Sequence, residues 1–279
     1  MKKKVCLITG ATSGVGLETS IGLAKKNFDL ILISRSEDKL NKLLSNLSLN
    51  FDINIKTYKC DLSSINETKK LAWNIVKDFT KIDVVINNVG AIFMSNQLNS
   101  EGIEMTLALN HLSYFTLTNM LLDNIENTDN MRIINVSSNA HRRTSIDTGN
   151  LEMQDCYNGW LAYKKSKLAN IYFTYYLSNI LKDSTVTVNC LHPGLVNSNF
   201  ANNTEQFHYK IAASLIKLFG ISNLEGAQTS IYLASDDLIS NVTGKYFYKC
   251  RPIKSSAISL DQDIAKKLWG ASESLINNV

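Results

Sequence analysis

Tyr163 and Lys167 stand four residues apart in the run Tyr163-Lys164-Lys165-Ser166-Lys167. On a helix that spacing puts both side chains on one face. A phenol ionises near ~10 and is a poor acid or base at neutral pH. A fixed cation within reach favours the phenolate and lowers that value, so the pair could give and take a proton. Helices also carry Tyr-x-x-x-Lys by chance, so the spacing needs a second signal. It comes from Thr9-Gly10-Ala11-Thr12-Ser13-Gly14-Val15-Gly16, which follows the apolar run Val5-Cys6-Leu7-Ile8 and precedes a helical stretch from Leu17 to Lys26. Strand, glycine-rich turn and helix present backbone N–H groups to a phosphate at a positive helix end. No Lys-Ser/Thr follows Gly16, which excludes a nucleotide-hydrolysing phosphate loop.

The elements that must position these residues alternate along the chain. Short runs rich in branched residues lie at Leu30–Ser34, Ile53–Lys59, Val84–Ile86, Arg132–Val136 and Val186–Leu191. Between them the helical stretches are Glu37–Leu49, Ile65–Phe79, Gly102–Leu122 and Trp160–Leu181. A helix at Glu225–Ala234, a strand at Lys245–Tyr248 and a helix at Asp261–Leu275 close the chain. The pattern predicts an α/β fold: one doubly wound Rossmann domain over residues 1–279, with a mainly seven-stranded parallel sheet and helices on both faces. Ligands of such sheets bind beyond the carboxyl ends of the strands. Gly10, Arg35, Cys60-Asp61, the segment Asn87 to Gly90, Ser138 and Pro193-Gly194 fall at six successive strand ends.

Together the motifs resemble the short-chain dehydrogenase/reductase family over essentially the whole chain. Thr-Gly-x-x-x-Gly-x-Gly and Tyr-x-x-x-Lys are joined by Asn87-Asn88-Val89-Gly90, where Val89 departs from the family's alanine. Asn110-His111, Asn135-Val136-Ser137-Ser138 and His192-Pro193-Gly194 match further family segments. Leu161 to Thr174, Arg132 to His141 and Gly244-Lys245-Tyr246-Phe247 are similar to its retinol-dehydrogenase-like branch. The resemblance implies reversible hydride transfer between a nicotinamide and an alcohol or carbonyl substrate. Tyr163 would be the acid or base, with Lys167 polarising it and holding the nicotinamide ribose. Ser138 would hold the substrate oxygen, and Asn110 would anchor water in a proton relay. Ser137 is the rival for Ser138, but alternation along the strand separates the two and the family pattern selects Ser138.

The cofactor set so implied is Gly10, Thr12, Ser13, Gly14, Val15, Gly16, Arg35, Asp61, Leu62, Asn87, Val89, Gly90, Tyr163, Lys167, Pro193, Gly194 and Val196. Asp61 would contact the adenine ring or cap the next helix, and Asn87 would stabilise the sheet and border the adenosine. An acidic residue closing the second strand holds both ribose hydroxyls of NAD, whereas arginine accommodates a 2′-phosphate. Arg35 closes it here, favouring NADP over NAD. Glu37 and Asp38 nearby, and Ser13 where many NADP-using relatives carry a basic residue, weaken that preference.

Other features narrow the function. The 279 residues carry a net charge of +4 without a basic stripe, which excludes a nucleic-acid reader. Five cysteines, odd in number and widely spaced, read as thiols in a reducing compartment. No His/Cys/carboxylate cluster has metal-ligand spacing. No stretch reaches the ~20 apolar residues of a membrane helix, so no integral membrane segment and a cytoplasmic location are expected. His111 and His192 read as packing or loop residues, because no Gly-x-Ser-x-Gly elbow accompanies them. Residues 197–222, with Phe200, Phe207 and Tyr209, are where the family places a substrate lid. An apolar cleft there would take a lipophilic alcohol or ketone such as a retinoid; the same run could instead rest on a membrane or a neighbouring subunit. Homodimers or homotetramers through Gly102–Leu122 and Trp160–Leu181 are implied by family analogy. The alternative functions are a catalytically inactive dinucleotide sensor or scaffold of the same fold, and a sugar-nucleotide epimerase.

Overall fold

The computed structural model describes residues 3–153, 156–196 and 220–279. β1 (Val5–Thr9), β2 (Asp29–Ser34) and β4 (Val84–Asn87) are apolar nearly throughout because both faces of these strands are covered. Alternation sends Cys6, Ile8, Leu30, Leu32 and Ile86 to one core layer and Leu7, Ile31, Ile33 and Val85 to the other. β3 (Ile55–Lys59), β5 (Arg132–Val136), β6 (Thr187–Leu191), β7 (Tyr246–Tyr248) and β8 (Arg251–Ile253) complete an eight-stranded sheet of order β3-β2-β1-β4-β5-β6-β7-β8. The chain reverses direction across the sheet between β1 and β4, which opens a crevice above their carboxyl ends.

α1 (Gly14–Lys25), α2 (Glu37–Asn50) and α7 (Asn223–Ser235) pack on the first layer. α3 (Ile65–Asp78), α5 (Ser113–Asn124) and α6 (Gly159–Ile180) pack on the second. A short α4 (Met105–Leu107) precedes α5, and α8 (Gln262–Asn277) ends the fold. Ser36, Ser64, Asn158 and Asp261 accept backbone N–H groups at the starts of α2, α3, α6 and α8. Ser222 and Glu225 form a capping box on α7. α3 covers α5 and α8 covers α6, so much of the two helices that analogy assigns to a subunit interface is occupied within the chain.

Two expectations change, and a third falls mostly outside the described residues. The seven parallel strands are joined by an eighth, antiparallel one, β8. Tyr248 and Arg251 pair across a two-residue turn in which Lys249 and Cys250 have φ of 48° and 59°. Glycine or asparagine usually marks such a left-handed turn; Lys-Cys does not, which hid the hairpin. The stretch Gly102–Leu122 is not one regular helix, since a π-helical segment, Ala108–Leu112, separates α4 from α5. The expected lid at 197–222 lies outside the described residues up to 219; beyond that, Ile221 bridges to Val196. Among the described residues, no helix is long and apolar enough to cross a membrane.

Candidate active site

The glycine turn is built by close approach. Gly10 and Gly14 have φ of +66° and +55°, where a side chain would be strained. A Cβ on Gly16 would run into the Gly10 carbonyl and Asn88 Nδ2, so α1 can approach β1 this closely only with glycine there. Ser13 is the N-cap of α1, yet its side chain caps nothing. The first-turn N–H groups of Gly14, Val15 and Gly16 therefore have no helical partner and suit a phosphate. Thr12 Oγ1 lies 2.8 Å from Ser34 Oγ and ties the turn to β2. Asn223 Oδ1 is buried without a partner, 3.8 Å from where a Gly14 Cβ would stand. These unfilled donors, the orphaned oxygen and the side-chain-free cradle fit a dinucleotide.

Arg35 follows β2, exposed, and among the described residues it makes no ion pair. Glu37, the nearby carboxylate, is drawn 3.6 Å from Lys59 at the start of α2. Asp61 does not cap α3, because Ser64 does. Asp61 Oδ1 instead accepts the Ser63 N–H at 3.0 Å and the Ser63 hydroxyl at 2.8 Å in a local turn. Leu62 turns its side chain into the core beneath. Asn87 is fully buried and donates to Thr118 Oγ1 at 2.8 Å and Asn135 Oδ1 at 2.9 Å, bracing β4 against β5 and α5. Its side chain therefore does not border the crevice, which corrects half of its expected role. Asn88 instead braces the glycine turn, donating from Nδ2 to the Thr9 carbonyl at 2.9 Å, while its N–H and that of Val89 reach Thr9 Oγ1 at 2.9 and 3.1 Å. Strand alternation could have separated Asn87 from Asn88.

The proposed catalytic groups converge. Ser137 Oγ donates to the Lys167 carbonyl at 2.7 Å and is buried, so it anchors β5 to α6. Ser138 lies at the opening, where it caps a short turn, Asn139–His141, and accepts the Ala140 N–H at 3.1 Å. That leaves the Ser138 hydroxyl proton free to donate, and Ser138 is hydrogen-bonded to Tyr163. The Lys167 ammonium donates to the Val136 carbonyl at 3.0 Å and lies 5.5 and 5.9 Å from the ring centres of Tyr114 and Tyr163. Asn110 sits in the π-helical segment with its own carbonyl taken by Asn170 Nδ2 at 2.9 Å. Its side chain clasps Ala91, accepting from its N–H and donating to its carbonyl, both at 2.9 Å. Gly90 closes the group: a Cβ there would stand 3.1 Å from Lys167 Nζ and 3.3 Å from Asn110 Oδ1. The Val89 carbonyl accepts the Tyr114 hydroxyl at 2.6 Å.

Electrostatics correct one expectation. Burial pushes the Tyr163 phenol up to about 12, a rise the Ser138 hydrogen bond only partly offsets. Burial also brings the Lys167 ammonium down to about 7. Desolvation is the larger influence on Tyr163, which holds its proton at neutral pH. Gly194, at φ +100°, turns the chain after β6, and Pro193, Val196 and Val15 close around Gly226 of α7. Gly226 therefore joins the glycine turn to the Pro193-Gly194 turn, a link with no signal in the sequence. His192 stacks on Tyr248 at 4.1 Å, and His111 is held by Asn170 and Ser272 in an aromatic core, so both are packing residues. Among the described residues, no group of His, Cys, Asp and Glu could hold a metal.

A glycine turn, a tyrosine–lysine pair and a serine at the switch point of a parallel sheet define a dinucleotide-dependent oxidoreductase site. The family model of short chain dehydrogenases matches residues 4–208, and the chain belongs to that family. Its similarities fall in the retinol-dehydrogenase-like branch. It is 34% identical to human retinol dehydrogenase 13 over 281 residues, covering 98% of this chain and 84% of that protein. With mouse retinol dehydrogenase 14 it shares 33% over 294 residues, covering 99% and 86%. Among solved structures, a putative uncharacterized protein from Mycobacterium paratuberculosis superposes with a TM-score of 0.76 at 28% identity, covering 98% of this chain and 93% of that one. The chain is an oxidoreductase acting on CH–OH groups.

Proposed function

We propose that this enzyme uses NADP to interconvert a lipophilic alcohol and its carbonyl compound. The observation that carries the reading is the convergence of Ser138, Tyr163, Lys167 and Asn110 beside Gly90, at the carboxyl ends of β4 and β5. NADP is supported by the exposed Arg35 guanidinium, which makes no ion pair among the described residues, and by the engagement of Glu37 with Lys59. Asp61, and the backbone at Leu62, Val89, Pro193, Gly194 and Val196, complete the proposed cofactor walls. What the cofactor supplies when bound is the donor or acceptor of a hydride.

The chain's own residues supply orientation and a proton. The Ser138 hydroxyl holds the substrate oxygen beside Tyr163. In reduction, Tyr163 gives the proton from its Oη to that oxygen, and in oxidation it takes the proton back. Lys167 holds the ribose and keeps positive charge near the phenolate that forms. Asn110 fixes the segment after Gly90 through Ala91. A lipophilic substrate is supported by half-exposed Trp160 stacked on Tyr163 at 5.6 Å, and by exposed Leu195 beyond Gly194. Retinol enters as a candidate through the names of the relatives. The test is Tyr163→Phe, followed by nicotinamide absorbance over a panel of alcohols and aldehydes. Turnover should fall about 100- to 10,000-fold while NADPH binding stays close to wild type. Retained turnover would refute the role.

A further inference from the structure

His141 is wholly buried, three residues after Ser138, and the reaction scheme does not use it. Both of its ring nitrogens are engaged. Nδ1 lies 2.7 Å from the Ser138 carbonyl, and the Ser256 N–H donates to Nε2 at 3.1 Å. A carbonyl can only accept and a backbone N–H can only donate. The partners therefore fix one form of the ring: neutral, with the proton on Nδ1. The Ser138 carbonyl also accepts the His141 N–H at 3.2 Å, so the turn that carries the serine hydroxyl is held twice by one residue.

The far end of the tie is anchored. Arg142 donates to the Lys254 carbonyl at 2.7 Å, and Ser255 Oγ lies 2.8 Å from the Tyr175 hydroxyl of α6. The His141 ring meets Tyr246 of β7 edge-on at 5.2 Å. The charged and titratable groups around it are Arg142 on its own turn, Tyr175 on α6, His192 after β6 and Tyr246 on β7. Among the described residues no carboxylate is hydrogen-bonded or ion-paired to it. Burial and Arg142 hold the imidazole below its ordinary range, against the pull of the Ser138 carbonyl.

We propose that His141 is a positioning residue: its neutral ring ties the Ser138 turn to the Ser256 backbone and so aims the serine hydroxyl at Tyr163. The inference rests on the role given to Ser138 above. An added proton would set an N–H on Nε2 against the N–H of Ser256, breaking the tie at its far end. Activity then carries an acid limb, below the usual imidazole range, that belongs to His141.

Two variants and one spectroscopic reading test this. His141→Gln can donate and accept but cannot titrate; it should keep kcat near pH 7 within about threefold and lose the acid limb. His141→Ala should lower kcat about 10- to 100-fold with NADPH affinity little changed, and it should also lower the melting temperature because it empties a buried site. An acid limb unmoved in His141→Gln, or wild-type kcat in His141→Ala, overturns the proposal. So does a joint loss of NADPH binding and melting temperature in both variants, which would mark a role in the fold at large. Nitrogen-15 NMR of the imidazole, assigned by its disappearance in His141→Gln, should show the proton on Nδ1; the opposite tautomer also overturns the tie. That reading needs no turnover. A wild-type protein inactive on every substrate would therefore sink the proposed function, while the NMR still decides the fate of the tie.

Discussion

Lys167→Met should make the protein more stable and catalytically dead. The wild-type ammonium is brought from its ordinary value of 10.5 down to about 7 by burial alone. At roughly 1.4 kcal/mol per unit, keeping that charge inside costs about 4 kcal/mol near neutral pH. Methionine keeps the aliphatic stem and removes the charge. It also removes the 3.0 Å hydrogen bond to the Val136 carbonyl, worth about 1 kcal/mol. The net gain is about 3 kcal/mol, or roughly 5–10 °C in melting temperature for a chain of this size. The direction with pH follows from linkage. Between the folded value of about 7 and the unfolded value of 10.5, the unfolded chain binds more protons, so wild-type stability rises with pH across that window. The advantage of Lys167→Met should therefore be largest at or below about pH 7 and shrink toward about pH 10. Paired melting curves at the two pH values, with nicotinamide turnover measured on the same samples, provide the assay. Equal melting of both proteins near pH 7, or an advantage that does not change with pH, would refute the reasoning.

Arg35→Asp should shift the ratio of kcat/KM for NADPH over NADH toward NADH by about 10- to 100-fold, because it removes a charge-assisted contact worth about 1.5–3 kcal/mol; an unmoved ratio would count against Arg35 as the 2′-phosphate ligand. Gly16→Ala should cost about 1–3 kcal/mol of stability and weaken NADPH binding at least about tenfold, since the new methyl meets the Gly10 carbonyl and Asn88; calorimetric titration with NADPH reads this, and unchanged affinity would show that α1 can back away. Buried His111 is held down to about 4 against an ordinary 6.5, so the unfolded chain takes up the extra proton first and stability falls as pH drops through that window. The loss is up to about 3 kcal/mol, and urea unfolding near pH 7 and near pH 5 should show a smaller pH effect in His111→Gln; an identical effect would place the titration elsewhere.

The sequence by itself determined the class of fold and the chemical parts. β1, β2 and β4 are written as apolar runs because both faces are covered, and Gly16 of the turn answers a steric demand that no other residue meets. Tyr163 and Lys167 share a face because a helix puts residues four apart together. Tertiary structure decided what spacing cannot carry. Asn87 and Asn88 are the same residue type side by side, yet the pleat turns one into the sheet and gives the other to the glycine turn. In the π-helical segment the Asn110 carbonyl accepts from Asn170 Nδ2, sixty residues away in sequence, a partner that local spacing does not announce. The β7–β8 hairpin turns on two left-handed residues without glycine, held by strand pairing rather than local preference. Ionisation was the least legible property. A tyrosine beside a lysine reads as an activated phenol, but the depth at which α6 lies against the sheet sets the desolvation of both groups, and only packing fixes depth.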